Sequence, residues 1–118
     1  MSQGPQELLR RLTAGEESSL RAVMSLTPTD ELSWSHRTLP ARTRRLIALG
    51  ALVAVDAPMT SLRWAVELAF CAGADEEEII SVLAIVSREA GLACAVSAAP
   101  RLALAIGYDL ELRDRDEL

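Results

Sequence analysis

The chain reads as an all-helical protein of about six helices, and three observations predict this. Apolar residues recur at helical spacing: Leu20, Val23 and Met24 make one such face, and Ile79, Val82, Leu83 and Val86 another. Strand-like alternation never persists for more than a few residues. Helix-ending residues punctuate the chain at Gly15, Asp56-Ala57-Pro58, Gly73, Gly91 and Gly107.

In chain order, Pro5–Leu12 holds good helix formers, with Gly15 as a stop. Glu16–Leu26 is a second short helix. Thr27–Pro40 is dense in Pro, Ser, Thr and Asp and reads as a loop, with room for one turn around Asp30–Trp34. A third helix begins at Thr38 or Leu39, takes Pro40 in its first turn and runs to about Val55. Thr60 is expected to cap a fourth helix that reaches about Ala72, with Ser61 competing for that role. Asp75 and Glu78 have the spacing of a capping box for a fifth helix, whose acidic first turn suits the helix dipole. Gly91 ends it, and a sixth helix runs from about Leu92 to Ile106 before Gly107. Pro100 lies inside that span and is expected to kink or split it.

The 118 residues suit one domain, divided into N-terminal helices and loop (1–38), a helical core (39–108) and an acidic tail (109–118). Hydrophobic residues make up 50% of the chain but aromatics only 3%, so the core is built from Ala, Leu, Val and Ile. Such small faces let helices pack closely. The net charge of −5 argues against nucleic acid as the main partner, since that affinity rests on neutralising phosphates. The chain contains no Lys, which excludes Schiff-base chemistry and a covalent pyridoxal phosphate. One His and two Cys cannot supply a four-ligand Cys/His zinc site from one chain. No cofactor or metal is therefore expected. Cys71 and Cys94 lie among apolar neighbours and read as small buried hydrophobes in a reducing compartment. The N-terminus lacks the apolar segment of a signal peptide, and the longest wholly apolar run, Leu46–Val55, is too short to span a bilayer. These features predict a cytoplasmic protein with no membrane partner.

That same apolar run raises a packing problem. After the Arg-rich start (Arg42, Arg44, Arg45), the third helix has no polar side chain from Leu46 to Val55. A helix that is apolar all round needs cover on every side. Six helices from one chain offer limited cover, so part of this surface is expected to meet another copy in a homo-oligomer.

Three segments carry a resemblance: "TRRLIALGALVAV" (43–55), "SLRWAVELAFCAGADEEEI" (61–79) and "REAGLACAVSAA" (88–99). With their order and the Gly-Ala-x-x-Glu-Glu-Ile step, they make residues 39–108 resemble the carboxymuconolactone decarboxylase family, which includes the alkylhydroperoxidase D-like proteins. The resemblance implies an all-helical protomer assembled as a trimer or hexamer, with pockets near subunit boundaries. It also marks departures. Counting back from Gly73, the alkylhydroperoxidase-like Cys-x-x-Cys-x-x-x-His positions fall on Pro58, Ser61 and Ala65. A dithiol that forms and breaks a disulfide needs two sulfurs. Where the decarboxylase branch resembles "LRLH", this chain keeps Arg63 and replaces the His by Ala65. The family's Glu in "TREL" is Arg45 here, and its Tyr in "YAG" is Glu89.

The candidate site residues follow. Glu89 is the candidate catalytic group, a general acid or base in a mostly apolar pocket; the competing reading is a solvated Glu at a helix end. Arg63 is the candidate grip on a substrate carboxylate through paired hydrogen bonds; its competing role is an i,i+4 surface pair with Glu67. Trp64 and Phe70 would shape the substrate pocket, although a lone Trp more often fills a core or an interface. Arg45, with Arg44, would line an entrance for anions or be held in salt bridges. His36, the only imidazole, lies in the Ser/Trp/Arg loop and reads as exposed. Two functions compete: a cofactor-independent lyase or isomerase acting on a small carboxylated or lactone-like molecule, and a non-catalytic oligomer that binds a metabolite or serves as an accessory. Peroxide reduction stands third, because the motif thiols are missing.

Overall fold

The computed structural model describes residues 4–24 and 39–108. Among them are six α-helices and no strand: α1 Pro5–Thr13, α2 Glu17–Met24, α3 Ala41–Ala54, α4 Met59–Cys71, α5 Glu76–Ala90 and α6 Leu92–Ile106. The expected turn at Asp30–Trp34, His36 and the acidic tail lie outside the described residues. The chain divides into two compact units, Met1–Pro40 and Ala41–Leu118.

In the first unit, α1 and α2 pack against each other. Pro5 opens α1 at a position where its missing N–H costs nothing. Leu8 is buried, whereas the expected apolar face of α2 is exposed at Leu20, Val23 and Met24, and Ser19 is its buried residue. Glu7 pairs with Arg10 and, at 3.0 Å, with Arg11. The hydrogen bond from Arg10, with help from Arg11, holds the Glu7 carboxyl below its ordinary value. Hydrogen bonds from Ser18 and Ser19 do the same for Glu16.

The second unit is a four-helix arrangement. Helix α3 packs on α4 and α5, and α6 packs on the same two helices; α3 and α6, like α4 and α5, meet only weakly across the diagonals. The core sits where the four converge: Leu49 and Val53 from α3, Leu62, Ala65, Val66 and Ala69 from α4, Ile79 from α5, and Ala98 and Leu102 from α6. Small residues supply much of this surface, as the low aromatic content requires. Gly50 is buried on α3, and a Cβ there would meet Val86 Cγ2 at 3.3 Å and Val82 Cγ1 at 3.4 Å. The bare backbone at this point is what lets α3 approach α5 so closely.

The capping box forms as the sequence predicts. Asp75 Oδ1 accepts from the Glu78 backbone N–H at 2.8 Å, and Glu78 Oε1 accepts from the Asp75 N–H at 3.0 Å. Gly91 alone joins α5 to α6 at φ +103°, ψ 168°, a conformation reserved almost entirely for glycine. Two expectations need correction. Neither Thr60 nor Ser61 caps α4: Pro58 occupies the N-cap with extended ψ and no side-chain cap, so the helix starts at Met59. Pro100 does not split α6, which runs unbroken through it. Both Pro100 and Val96, whose carbonyl loses its helical partner, are on the exposed face, where water can satisfy that oxygen.

Two predictions follow from this packing. Leu102 is fully buried on α6 and Val96 on the same helix is 69% exposed. Leu102→Ala should lower the unfolding free energy by about 2–5 kcal/mol and Val96→Ala by less than about 1 kcal/mol, measured by urea denaturation. In α1, ionised Glu7 stabilises the fold fully above its ordinary value of 4.5, and this contribution is lost as pH falls through the lowered folded value. An NMR titration should place the midpoints of Glu7 and Glu16 below 4.5, and Arg10→Ala should raise that of Glu7.

Candidate functional site

Three of the cavities in the four-helix unit show which side chains the helices turn outward. The first is a groove of about 510 Å³ between α3 and α5. Thr43, Leu46, Ile47 and Gly50 form one wall; Glu78, Ser81, Val82, Ile85 and Val86 form the other. It is almost wholly aliphatic. Its polar end is already engaged, because Glu78 serves the capping box and lies 3.6 Å from the Arg42 guanidinium.

The second cavity, of about 300 Å³, lies between α4 and α6. Arg63, Val66, Glu67 and Phe70 come from successive turns of α4, and Ala105 and Ile106 close it from the end of α6. Here two candidate substrate-binding residues, Arg63 and Phe70, line one pocket. The Arg63 guanidinium makes no ion pair or hydrogen bond among the described residues, so the expected surface pair with Glu67 is not formed. A cation N-terminal to its acid is the poorer arrangement of such a pair.

The third cavity, of about 280 Å³, is lined by Val53, Ala54, Asp56, Ala93, Cys94 and Ser97. Its polar groups are tied to one another. Asp56 accepts from Ser97 Oγ at 3.0 Å and from Arg101 Nη1 at 2.6 Å, while Arg101 Nη2 donates to the Ala57 carbonyl. Asp56 has φ +57°, the only non-glycine residue with positive φ among those described. The cluster therefore clamps the α3–α4 turn onto α6. Cys94 Sγ lies 3.6 Å from the Val53 carbonyl oxygen.

The remaining candidates fall elsewhere. Glu89 is exposed in the last turn of α5 and lines none of the three cavities. Arg63 and Glu89 share none of these three cavities; they sit on α4 and α5, the pair of helices that meet only weakly across a diagonal. Trp64 is exposed beside Arg63 and does not line its pocket. Arg45 and Arg44 are half-buried on α3, and neither is a free cation. Cys71 is exposed rather than buried, since it closes α4 on the side opposite the core residue Ala69. Sequence reasoning treated Glu67 only as a surface partner; in the structure it is the carboxylate at the Arg63 pocket, and its i,i+4 spacing from Arg63 was the available signal. Among the described residues no group of three or more His, Cys, Asp or Glu could hold a metal ion, and no helix is long and apolar enough to cross a membrane.

Compared with protein-family models, with curated proteins and with solved structures, the chain matches none.

The clamp on the α3–α4 turn is directly testable. Arg101→Ala removes two hydrogen bonds from Asp56 and Ala57 and should cost about 1–3 kcal/mol of stability. Asp56→Gly should cost less than Asp56→Ala, because glycine accepts positive φ freely. Thermal denaturation of the three variants checks the order.

Proposed function

We propose that this chain is a carboxymuconolactone decarboxylase-like protein that works as a homo-oligomer and binds a small carboxylated or lactone-like molecule at Arg63, in a metabolite-binding or accessory role. The observation that carries this reading is the guanidinium of Arg63 lining a pocket of about 300 Å³ with Phe70, without an intramolecular partner among the described residues. A guanidinium holds a carboxylate through two parallel hydrogen bonds, and the aromatic face of Phe70 with Val66, Ala105 and Ile106 offers apolar cover to the rest of the ligand. The volume is at the lower end of the usual range for ligand sites, which suits a small molecule.

Binding is favoured over catalysis because the residue assigned to proton transfer, Glu89, is exposed and is not among the residues that line the Arg63 pocket. A lyase or isomerase needs a proton-moving group within hydrogen-bond reach of the substrate. One observation keeps an enzymatic reading in view: Glu67 lines the same pocket as Arg63. In that version Glu67, and not Glu89, moves the proton. Peroxide reduction is the less favoured reading, since Cys71 and Cys94 lie on different helices and Cys71 is not among the residues that line the Cys94 cavity.

Calorimetric titration with benzoate, a carboxylate on a flat apolar ring, tests the site. Wild type should bind it; Arg63→Ala should weaken binding roughly ten- to hundredfold, the loss of a charge-assisted pair. Glu89→Ala should leave it unchanged. Equal affinity in wild type and Arg63→Ala overturns the proposal. Glu67→Gln should retain binding, and loss of a measured turnover in that variant alone would move the assignment to an enzyme.

A further inference from the structure

The other helices of the four-helix unit leave the groove between α3 and α5 open, and the side chains beside it are of a kind that avoids water. Ile47 is 58% exposed on one wall and Ile85 63% exposed on the other. Gly50 leaves a depression between them, floored by Val82 and Val86. The protomer therefore presents two aliphatic knobs flanking an aliphatic hole of about 510 Å³. A surface with matching knobs and hole complements itself.

The outward flank of α5 adds a charge pattern. Glu77, Ser81, Ile85 and Arg88 recur at i, i+4, i+8 and i+11, close to one stripe of the helix, and Ala84 lies beside Ile85. All five are exposed. The side chains of Glu77 and Arg88 make no ion pair or hydrogen bond among the described residues. They are too far apart to pair within one helix, roughly 16 Å along its axis. An antiparallel copy of α5 brings each Glu77 opposite the other copy's Arg88, with the small Ser81 and Ala84 at the crossing point. A parallel copy instead stacks the acidic first turns, Glu76–Glu78, against each other, which like charges oppose.

We infer that the α3/α5 face is the contact between two copies of this chain, related by a two-fold axis that runs α5 antiparallel to its mate. Ile85 and Ile47 of each copy enter the groove over Gly50 of the other, and Glu77–Arg88 pairs close both ends of the contact. The inference rests on the reading of the chain as self-associating and adds the surface and its symmetry. A two-fold contact builds dimers, or hexamers when combined with a three-fold axis; it does not build an isolated trimer.

Light scattering on the full chain, coupled to sedimentation equilibrium, tests this. The wild-type mass should be an even multiple of 12.7 kDa. Ile85→Lys should weaken the two-fold association roughly tenfold or more while circular dichroism shows the helices intact. Glu77→Arg and Arg88→Glu should each weaken it, and the double variant should restore it. Both reversals oppose the α5 dipole, so their intrahelical costs accumulate in the double variant, and restoration there reports pairing between copies. An even-numbered assembly unaffected by all four variants, or reversals that weaken association additively without rescue, overturns this surface while leaving self-association standing. A wild-type monomer at every concentration overturns both.

Discussion

Ten successive apolar residues, Leu46–Val55, nine of them on α3, set the terms for everything packed around them. A helix in a four-helix arrangement meets two neighbours fully and a third across the diagonal, and α3 does so with α4, α5 and α6. Those contacts cover Leu49 and Val53 completely and Leu46 and Leu52 in part. They cannot cover the opposite side, where Ile47, Ala48, Ala51 and Val55 remain exposed. Exposing an aliphatic side chain of this size forgoes about 1.5–3 kcal/mol relative to burial. The uniform apolar character of α3 is therefore half explained by the core of the four-helix unit, and the other half is a surface that the neighbouring helices of that unit do not shelter.

The close approach of α3 and α5 links this packing to the surface features. Gly50 costs about 1 kcal/mol in helix propensity relative to Ala in the middle of α3. In exchange the two helices come near enough for Val82 and Val86 to pack on bare backbone, and the walls of the groove rise on either side. On the other side of the unit, the Asp56–Arg101 clamp holds the α3–α4 turn against α6. That fixes the register in which α4 meets α6, and so the place where Arg63 and Phe70 meet Ala105 and Ile106. The candidate ligand pocket depends on the same four-helix geometry as the core.

Local chemistry was legible in the sequence where one segment decides the outcome. The Asp75–Glu78 box, the glycine ends of α5 and α6 and the end of α3 near Val55 each depend on residues a few positions apart, whereas the start of α3 falls at Ala41, with Pro40 before the helix rather than in its first turn. Thr60 failed as a cap because Pro58 already supplies the extended entry to α4 two residues earlier. Pro100 failed as a breaker because the carbonyl it leaves without a helical partner, that of Val96, is on the exposed face. The site was less legible because it depends on which helices are neighbours. Placing Arg63 with Phe70 needs only the period of α4, and the structure brings them together. Placing Arg63 with Glu89 needs α4 beside α5, and the short Ala72–Asp75 link suggests that adjacency, yet the two lie across the diagonal. Glu67 was hidden for the opposite reason: its spacing from Arg63 fits a surface pair, and only the arrival of α6 turns that surface into a pocket.

The central claim is that burial of the α3/α5 face belongs to the folded protein in its assembled form. Because association stabilises only the folded chain, assembly makes the unfolding midpoint depend on protein concentration. The most direct measurement is the thermal midpoint of the full chain over a roughly hundredfold range of concentration. A midpoint that climbs with concentration in wild type, and is flat in Ile85→Lys, is the expected result. A wild-type midpoint that stays constant throughout, with reversible two-state unfolding, contradicts it.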